Sequence, residues 1–412
     1  MGNVNRSNRK PTEKLILAWA AVAVLAVMLT GCWNRKELNE LSIVLAVGID
    51  SIGDQYELSL QVVDPSQMTR NKVSDRSPTR VYTEHASTLF EAFRKLTTKA
   101  SRRMYFSHLQ FVIFDEKTAK NGIKVPLDML FRDHEIRPDF HLAIARKHSA
   151  KDIISFVTPS EVLPALDLSK SLKISEKLWA PTTAVNVLDI IQSLTETGIE
   201  PVLTGIELIG NPKKGMSLDN VKQPATYASY AYTGVGVFRG DRLVGWLNES
   251  DSKALTYISN KVASTAAVVP CPELDGSFAV EVTHSHIKTI PLVKENKPGI
   301  RLEVFIEANL AEVQCQADIA DEATFTSMQR AGSEELKRVL LSGVHQAQHT
   351  YKSDIFGFGE TFHRKFPGLW REWKGDWAQM FSQLPVEIEM NYNLRRNGTI
   401  TNPIESNPVK EE

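Results

Sequence analysis

The chain has 412 residues, of which 48 are basic, 49 are acidic and 42% are hydrophobic. This length suits two or three domains of about 100–200 residues each, and the ordinary balance of apolar and charged residues excludes wholesale disorder. A net charge of −1 offers no basic surface for nucleic acid. Three cysteines are too few for a disulfide scaffold or a four-thiolate zinc site.

The first 31 residues have the pattern of an export signal. Four basic residues, Arg6, Arg9, Lys10 and Lys14, precede the uncharged run Leu15–Leu29. As a helix this run would be about 22 Å long, whereas the hydrocarbon core of a bilayer is about 30 Å thick. The run therefore predicts a signal peptide and not a membrane span.

The sequence Leu29-Thr30-Gly31-Cys32 is similar to a bacterial lipobox, with small residues before a cysteine at the end of the apolar run. It predicts cleavage before Cys32 and a covalent lipid on the Cys32 thiol, and no other cofactor is expected. Cleavage would remove four basic and one acidic residue, leaving a mature chain with 44 basic and 48 acidic residues. Because this body is mildly acidic, we expect its attachment to the bilayer to come from the lipid.

The predicted tether between the lipid and the folded part is short. Residues 32–41 form it, and the nine residues Trp33–Leu41 reach only about 30 Å when fully extended. The folded part is therefore expected close to the bilayer. This geometry favours a partner embedded in the same membrane.

Residues 42–210 predict an N-terminal α+β region that could divide into two subdomains. Ser42–Asp50 is a continuous apolar run, read as a buried strand, and Gln55–Val63 alternates as its hairpin mate would. Further along, the patterns predict a helix that begins near Thr88. They also predict four more helices, Ile123–Arg132, Ala150–Val157, Leu168–Trp179 and Thr183–Glu196. They also predict strands at His108–Phe114, His141–Ala145 and Pro201–Gly210.

Residues 211–224 are polar and predict a linker, followed by a C-terminal α+β domain over 225–404 and a disordered tail over 405–412. Long alternating strands favour an antiparallel sheet with one covered face, and a long proline-free helix is the expected cover. The predicted elements are a hairpin over 228–246, a helix Ser252–Lys261, strands Phe278–Pro291, Ile300–Gln314 and Val386–Leu394, and the long helix Ala320–Lys352. The fold class is therefore multidomain α+β, with a mixed sheet in the N-terminal region.

Two histidine pairs have spacings that would let both members reach one metal ion. His345 and His349 are four apart on the predicted long helix, and His284 and His286 are two apart on a predicted strand. Neither pair has an evident third ligand, so no metal site is predicted. The glycines around Gly236 miss the dinucleotide-binding spacing, and no catalytic residue is predicted.

Two further residue sets leave alternatives open. Cys271 and Cys315 could form a disulfide outside the cytoplasm or remain free thiols. Trp370 and Trp377 recur at helical spacing with other aromatics, so this face could pack in the core or dock against a partner. For partner binding, the candidates are Trp370, Trp377 and, beside the predicted lipid, Trp33.

Two stretches, one near each end of the mature chain, resemble one family. The first is Cys32-Trp33-Asn34-Arg35-Lys36-Glu37-Leu38 with Gly48-Ile49-Asp50. The second is Asp354-Ile-Phe-Gly357-Phe-Gly359 with His363-Arg364, Pro367, Trp370, Trp377 and Phe381. Together they are similar to the Ger(x)C family of spore germination lipoproteins, the C subunits of nutrient germinant receptors. One departure is Asn34, where members of the family often carry Asp.

The resemblance implies a non-catalytic subunit on the outer face of the spore's inner membrane. It would work with a membrane-embedded A subunit and a permease-like B subunit in a receptor that responds to small nutrients. The alternative is a lipoprotein solute-binding protein that delivers a nutrient to a transporter. Such proteins are usually built from parallel sheets, so the long alternating strands within 278–314 argue against it. An envelope hydrolase is a third, weaker hypothesis, because no catalytic motif stands out.

Overall fold

The computed structural model describes residues 12, 15–16, 18–22, 40–63 and 77–395. The chain divides into two compact units, Met1–Leu41 and Ser42–Glu412, and the described residues between 12 and 22 are helical. No helix among the described residues is both long enough and apolar enough to cross a bilayer. Cys32, Trp33 and the predicted tail 405–412 lie outside the described residues.

A nine-stranded mixed sheet forms the first half of the fold. Its strands are β1 (Leu41–Ile52), β2 (Gln55–Val63), β3 (Thr79–Ala86), β4 (Arg103–Tyr105), β5 (Phe111–Asp115), β6 (His141–Ala145), β7 (Val202–Gly210), β8 (Ala228–Arg239) and β9 (Arg242–Leu247). The order is β3-β2-β1-β5-β6-β7-β8-β9, with β4 beside β1. The central strands β1, β5, β6 and β7 are parallel, and the outer pairs are antiparallel.

Helices cover this sheet on both faces, which explains why its central strands are apolar runs. They are α1 (Leu89–Leu96), α2 (Glu116–Asn121), α3 (Lys124–Arg132), α4 (Ala150–Ser155), α5 (Pro164–Leu178), α6 (Val187–Thr195) and the short α7 (Pro212–Gly215). Helices α1, α3 and α6 pack in one core with Val47 and Ile49 of β1. Helices α4 and α5 pack in a second core with Leu45 and Ala46 of the same strand.

The predicted linker 211–224 does not separate two sheets. It holds α7 and a 3-10 turn (Leu218–Val221), and it connects β7 to β8, which pair antiparallel in the first sheet. The side chain of buried Asn220 donates to the Val157 carbonyl (2.9 Å) and accepts from the Ala228 amide (3.0 Å). The segment is polar because it makes such bonds at a strand connection. The first sheet therefore continues past residue 225 and ends with β9, and the domain boundary at 225 stays a prediction.

The second sheet has four strands, β10 (Thr265–Pro270), β11 (Ser277–Lys294), β12 (Lys297–Val313) and β13 (Val386–Arg395), in that order. The first two pairs are antiparallel, as predicted, but β12 and β13 are parallel. The predicted purely antiparallel sheet needs this correction. A parallel neighbour is allowed here because a long helical connection brings the chain back to the starting end of β12.

The remaining helices are α8 (Glu249–Ile258), α9 (Glu322–His345), α10 (Phe358–Lys365), α11 (Pro367–Trp373) and α12 (Trp377–Phe381). Asp321 caps the start of α9, since its side chain accepts the Thr324 amide at 2.8 Å, and a π-helical turn (Gln346–Tyr351) follows the helix. Its buried face covers the second sheet, which confirms the predicted long covering helix. The same core includes Val235 and Val237 of β8, so the two sheets share it.

Candidate functional site at the junction of the two sheets

Asp354 is the central polar group of this junction. Its carboxylate is buried and accepts the backbone N–H groups of Phe358 (3.1 Å) and Gly359 (2.8 Å), which lie at the start of α10. It also accepts the indole N–H of Trp377 at 2.9 Å. Burial raises the pKa of Asp354 from 3.8 to about 6, although these three hydrogen bonds oppose the shift. One side chain thus fixes the start of α10 and the position of α12.

A close approach of two backbones joins this region to the loop before β7. A Cβ atom placed on Gly359 would lie 2.6 Å from the Gly198 Cα, so a side chain has no room there. Across the contact, the Glu200 amide donates to the Asp354 carbonyl (2.9 Å), and the Glu360 amide donates to the Gly198 carbonyl (3.1 Å). Gly359, part of the sequence motif quoted above, is needed because the two chain segments touch here.

The aromatic face predicted around Trp370 and Trp377 points into the core. These side chains are 1% and 6% exposed, and their ring centroids lie 5.1 Å apart. The Trp370 indole N–H donates to the Thr197 hydroxyl at 3.3 Å, so it also joins α11 to the loop before β7. A partner could reach neither ring without opening this core. This burial fits the packing interpretation of Trp370 and Trp377, and their contact with a partner stays a prediction.

A cavity of about 320 Å³ lies beside this junction, between α6, α8 and the segment Ile199–Val202. Glu200 lines it and accepts the Gly240 amide at 2.6 Å, and burial raises the pKa of this carboxyl. Lys261 donates to the Thr183 hydroxyl at 2.7 Å and pairs with Glu176 at 3.4 Å. Among the described residues that line the cavity there is no histidine or cysteine, and its polar groups are hydroxyls, carboxylates, an amide and the Lys261 ammonium.

Gly48-Ile49-Asp50, from the first of the two quoted stretches, positions helix α4. The Asp50 carboxylate accepts the amides of Ala150 (2.6 Å) and Lys151 (3.0 Å). A Cβ atom on Gly48 would lie 3.1 Å from the Ala150 carbonyl carbon, so the helix approaches the strand closely there. Burial raises the pKa of Asp50 from 3.8 to about 7, and the carboxylates of Asp115 and Glu57 add to the rise.

Glu57 completes this polar cluster on the neighbouring strand. It is buried and lies 3.0 Å from the Lys151 ammonium and 3.3 Å from the His85 ring. The burial of this carboxylate is not evident from the sequence, because Glu57 stands in an alternating strand where polar residues usually face water. The period-two pattern gave no signal that this strand is covered on both faces.

The structure settles the open question of the cysteines. Cys271, just after β10, and Cys315, just after β12, form a disulfide across a sequence separation of 44 residues. Disulfides of this kind persist in oxidising compartments outside the cytoplasm. The bond therefore agrees with an exported chain.

The histidine pairs lie on the surface. His345 and His349 are exposed with ring centroids 4.4 Å apart, and His284 and His286 are exposed on β11. Within the part of the chain that the structure describes, no group of three or more histidine, cysteine or carboxylate side chains is arranged to hold a metal ion. The junction itself is built from carboxylates, glycines and aromatic rings that hold segments of the chain together.

The fold defines a mixed α+β protein. The residues of its two quoted stretches connect segments that are far apart along the chain. Residues 34–208 match the family model for the spore germination protein N-terminal domain, and residues 233–398 match the model described as spore germination B3/GerAC like, C-terminal. The chain is 30% identical to spore germination protein KC of Bacillus subtilis (strain 168), over 95% of this chain and 98% of that protein. It therefore belongs to this family of spore germination proteins, which confirms the predicted resemblance.

Other relatives agree. Spore germination protein B3 of Bacillus subtilis (strain 168) is 24% identical over 91% of this chain and 96% of that protein. A solved structure, described as the crystal structure of the GerBC protein, matches 84% of this chain and 96% of its own with a TM-score of 0.54. Its sequence identity is 19%, so this likeness shows the shared fold and confirms the predicted multidomain α+β class.

Proposed function

We propose that this chain is a lipid-anchored, non-catalytic subunit of a spore nutrient germinant receptor and is required for the germination response. The observation that carries the proposal is the similarity to spore germination protein KC over nearly the whole of both chains. The lipobox-like sequence ending at Cys32 supports a covalent lipid at that residue. The proposed location is the outer face of the spore's inner membrane.

The proposed partners are the membrane-embedded A subunit and the permease-like B subunit of the same receptor. A tether of nine residues supports this, because it keeps the folded part within about 30 Å of the bilayer. Trp33, directly after the proposed lipid, stays a candidate for contact with these subunits. Replacement of Trp33 by alanine is expected to weaken recovery of the complex without changing lipidation.

A non-catalytic role is supported by how the polar groups of the junction are used. Asp354 and Asp50 each accept backbone amides that start helices. Glu200 and Lys261, which line the cavity, are also engaged in bonds between segments of the chain. These bonds hold helices and loops of the chain in place.

The anchor is tested by replacing Cys32 with alanine in spores, with Asn34→Ala as the matched control two residues away. We expect the Cys32 variant to lose recovery in the inner membrane fraction and the germination response, and the control to keep both. Mass spectrometry of the native protein should show cleavage before Cys32 and acyl chains on its sulfur. An unmodified thiol, or an attached leader, would contradict the anchoring.

The receptor assignment is tested by co-purification of the tagged chain with the A and B subunits from spore membranes. We expect both subunits to be recovered with it. Titration of the purified chain with nutrient candidates separates this proposal from the solute-binding alternative. Tight binding by the chain alone, without recovery of the two subunits, would favour the alternative.

A further inference from the structure

Helix α5 exposes large apolar side chains beside lysines on its outer side. Ile174 and Leu178, four residues apart, are 57% and 60% exposed, and Trp179 at the end of the helix is 44% exposed. Residues three and four apart lie on one side of a helix, and three exposed lysines share that side, Lys170, Lys173 and Lys177. The opposite side of α5 packs into the core, so the apolar residues of the outer side are not part of that packing.

The acidic groups of α5 do not neutralise this side. Asp167 is buried and accepts the Tyr230 hydroxyl at 2.9 Å. Glu176 pairs with Lys261 at 3.4 Å. Glu161, just before the helix, pairs with Lys170. Among the described residues, no ion pair involves the two remaining lysines of the helix, 173 and 177. The outer side of α5 is therefore locally positive, although the whole chain has a net charge of −1.

The same surface continues onto the edge strand β10. The Thr265 hydroxyl donates to the Trp179 carbonyl at 2.9 Å, which places the start of β10 beside the end of α5. Val268 of β10 is 67% exposed and lines a groove of about 370 Å³ together with Trp179. The Lys253 ammonium lies 4.0 Å from the centre of the Trp179 ring and donates to the Ala266 carbonyl.

We define the α5 face as four apolar side chains and three ammonium groups: Ile174, Leu178, Trp179, Val268, Lys173, Lys177 and Lys253. We propose that the α5 face contacts the surface of an anionic phospholipid bilayer. The charge is complementary to lipid phosphates, and each lysine near such a surface strengthens binding. Lysine stems can lie along apolar surface while the ammonium groups reach the headgroups.

The apolar side chains of the α5 face suit the same occupant. Tryptophan favours the boundary between headgroups and acyl chains, since it has an apolar body and a polar N–H group. Exposed leucine and isoleucine beside lysines are the composition of helices that lie in this boundary. The proposal rests on the proposed anchoring, because a body on a nine-residue tether remains near a bilayer. It adds a second, electrostatic contact to the lipid on Cys32.

The experiment places a photo-crosslinking amino acid in the full-length chain. It replaces Leu178 on the α5 face or, as the matched control, Leu188 on α6, which is 49% exposed. The protein is reconstituted in vesicles of equal parts phosphatidylglycerol and phosphatidylcholine and then irradiated. We expect lipid adducts at position 178 at least about fivefold above position 188, and fewer in phosphatidylcholine alone.

A charge reversal tests the role of the lysines. The double substitution Lys173→Glu/Lys177→Glu is expected to lower the yield of lipid adducts at position 178 by about tenfold. The control is Lys213→Glu/Lys374→Glu, which makes the same change in net charge at two exposed lysines elsewhere and should leave the yield within about twofold. Circular dichroism checks that both variants are folded.

The outcomes distinguish a failure of the bilayer contact from a failure of the receptor assignment. Equal adduct yields at positions 178 and 188, an unchanged yield after charge reversal, or adducts to protein in place of lipid would overturn the bilayer contact. If lipid adducts form at 178 but the A and B subunits are not recovered with the chain, the receptor assignment fails and the α5 face stands. If the subunits are recovered and no lipid adduct forms, the receptor assignment stands and the bilayer contact of the α5 face fails.

Discussion

At the scale of single residues, Asp354 illustrates how one carboxylate can organise a junction. Three buried donors depend on it, the amides of Phe358 and Gly359 and the indole of Trp377. Replacing Asp354 by alanine leaves these donors without their acceptor, and an unsatisfied buried donor costs about 1–3 kcal/mol. We expect the free energy of unfolding to fall by about 3 kcal/mol. Guanidinium unfolding followed by tryptophan fluorescence measures this change.

The matched control for that experiment is Asp376→Ala. Asp376 is exposed at the start of α12 and makes no side-chain cap bond to that helix. Its replacement should change the free energy of unfolding by less than about 0.5 kcal/mol. Similar losses from both variants would show that the three hydrogen bonds to Asp354 contribute little.

Asp50 predicts a pH dependence with a defined sign. Because burial raises the pKa of Asp50 to about 7 in the folded chain, from 3.8, the folded state binds this proton more tightly than the unfolded state does. The favourable contribution is therefore fully present below pH 3.8 and is lost as the pH rises through about 7. We expect the free energy of unfolding to decrease between pH 5 and pH 8 on this account.

Asp50→Asn separates this contribution from the other titrating groups. An amide resembles the protonated carboxyl group, so the variant should lose part of the decrease in unfolding free energy between pH 5 and pH 8. Unfolding by denaturant at several pH values measures the difference between the two proteins. The control Asp54→Asn, in the exposed turn between β1 and β2, should keep the wild-type dependence. Parallel curves for Asp50→Asn and the wild type would contradict the assignment.

Single-residue roles were only partly accessible from the sequence. The motif residues Gly48, Asp50 and Gly359 were recognisable by resemblance, but their partners lie far along the chain. Asp50 binds amides about 100 residues away, and Gly359 meets Gly198. Local periodicity contains no information on such contacts. For the same reason the spacing of Trp370 revealed a helical face but did not show which way that face points.

At the scale of elements, prediction succeeded where one local pattern determines the structure. The hairpin of β1 and β2 and the long helix α9 were evident from alternation and helical spacing. The direction of β13 was not evident, because the hydrophobic pattern of a strand is the same whether its neighbour is parallel or antiparallel. The polar segment 211–224 resembled a linker, since composition does not distinguish a domain boundary from a strand connection.

The disulfide fixes the ends of two elements and can be tested there. Cys271 and Cys315 close a loop of 44 residues after β10 and β12. Replacing both by serine is expected to lower the free energy of unfolding by about 2–4 kcal/mol, mainly because the unfolded chain gains conformational freedom. Denaturant unfolding measures the loss, and peptide mapping without reduction checks the pairing. Recovery of two free thiols from the native protein would contradict the bond.

At the scale of the whole molecule, net charge does not show where on the surface the charges lie. A chain with a net charge of −1 gives no reason to expect electrostatic contact with an anionic bilayer. The folded arrangement, however, pairs Glu176 with Lys261 and Glu161 with Lys170, and so concentrates uncompensated lysines on one side of α5. Charge distribution follows from tertiary pairing, which composition does not contain.

The shared core of the two sheets leads to a prediction for the whole fold. Val235 and Val237 of β8 belong to the same core as Ile300 and Leu302 of β12. In addition, β8 pairs with β7 across the segment that the sequence suggested as a linker. A chain cut at residue 224 would therefore lose strand pairing and core packing together, with many buried side chains exposed to water on both fragments.

We accordingly expect fragments 42–224 and 225–412 to be unfolded or insoluble when each is produced alone. Produced together, they should associate and recover a folded complex, whereas the uncut 42–412 should unfold in one cooperative transition. Circular dichroism, limited proteolysis and co-purification through a tag on one fragment measure these outcomes. If fragment 225–412 were folded by itself with a cooperative transition, the second sheet would not need the first, and the polar segment would act as a true domain boundary.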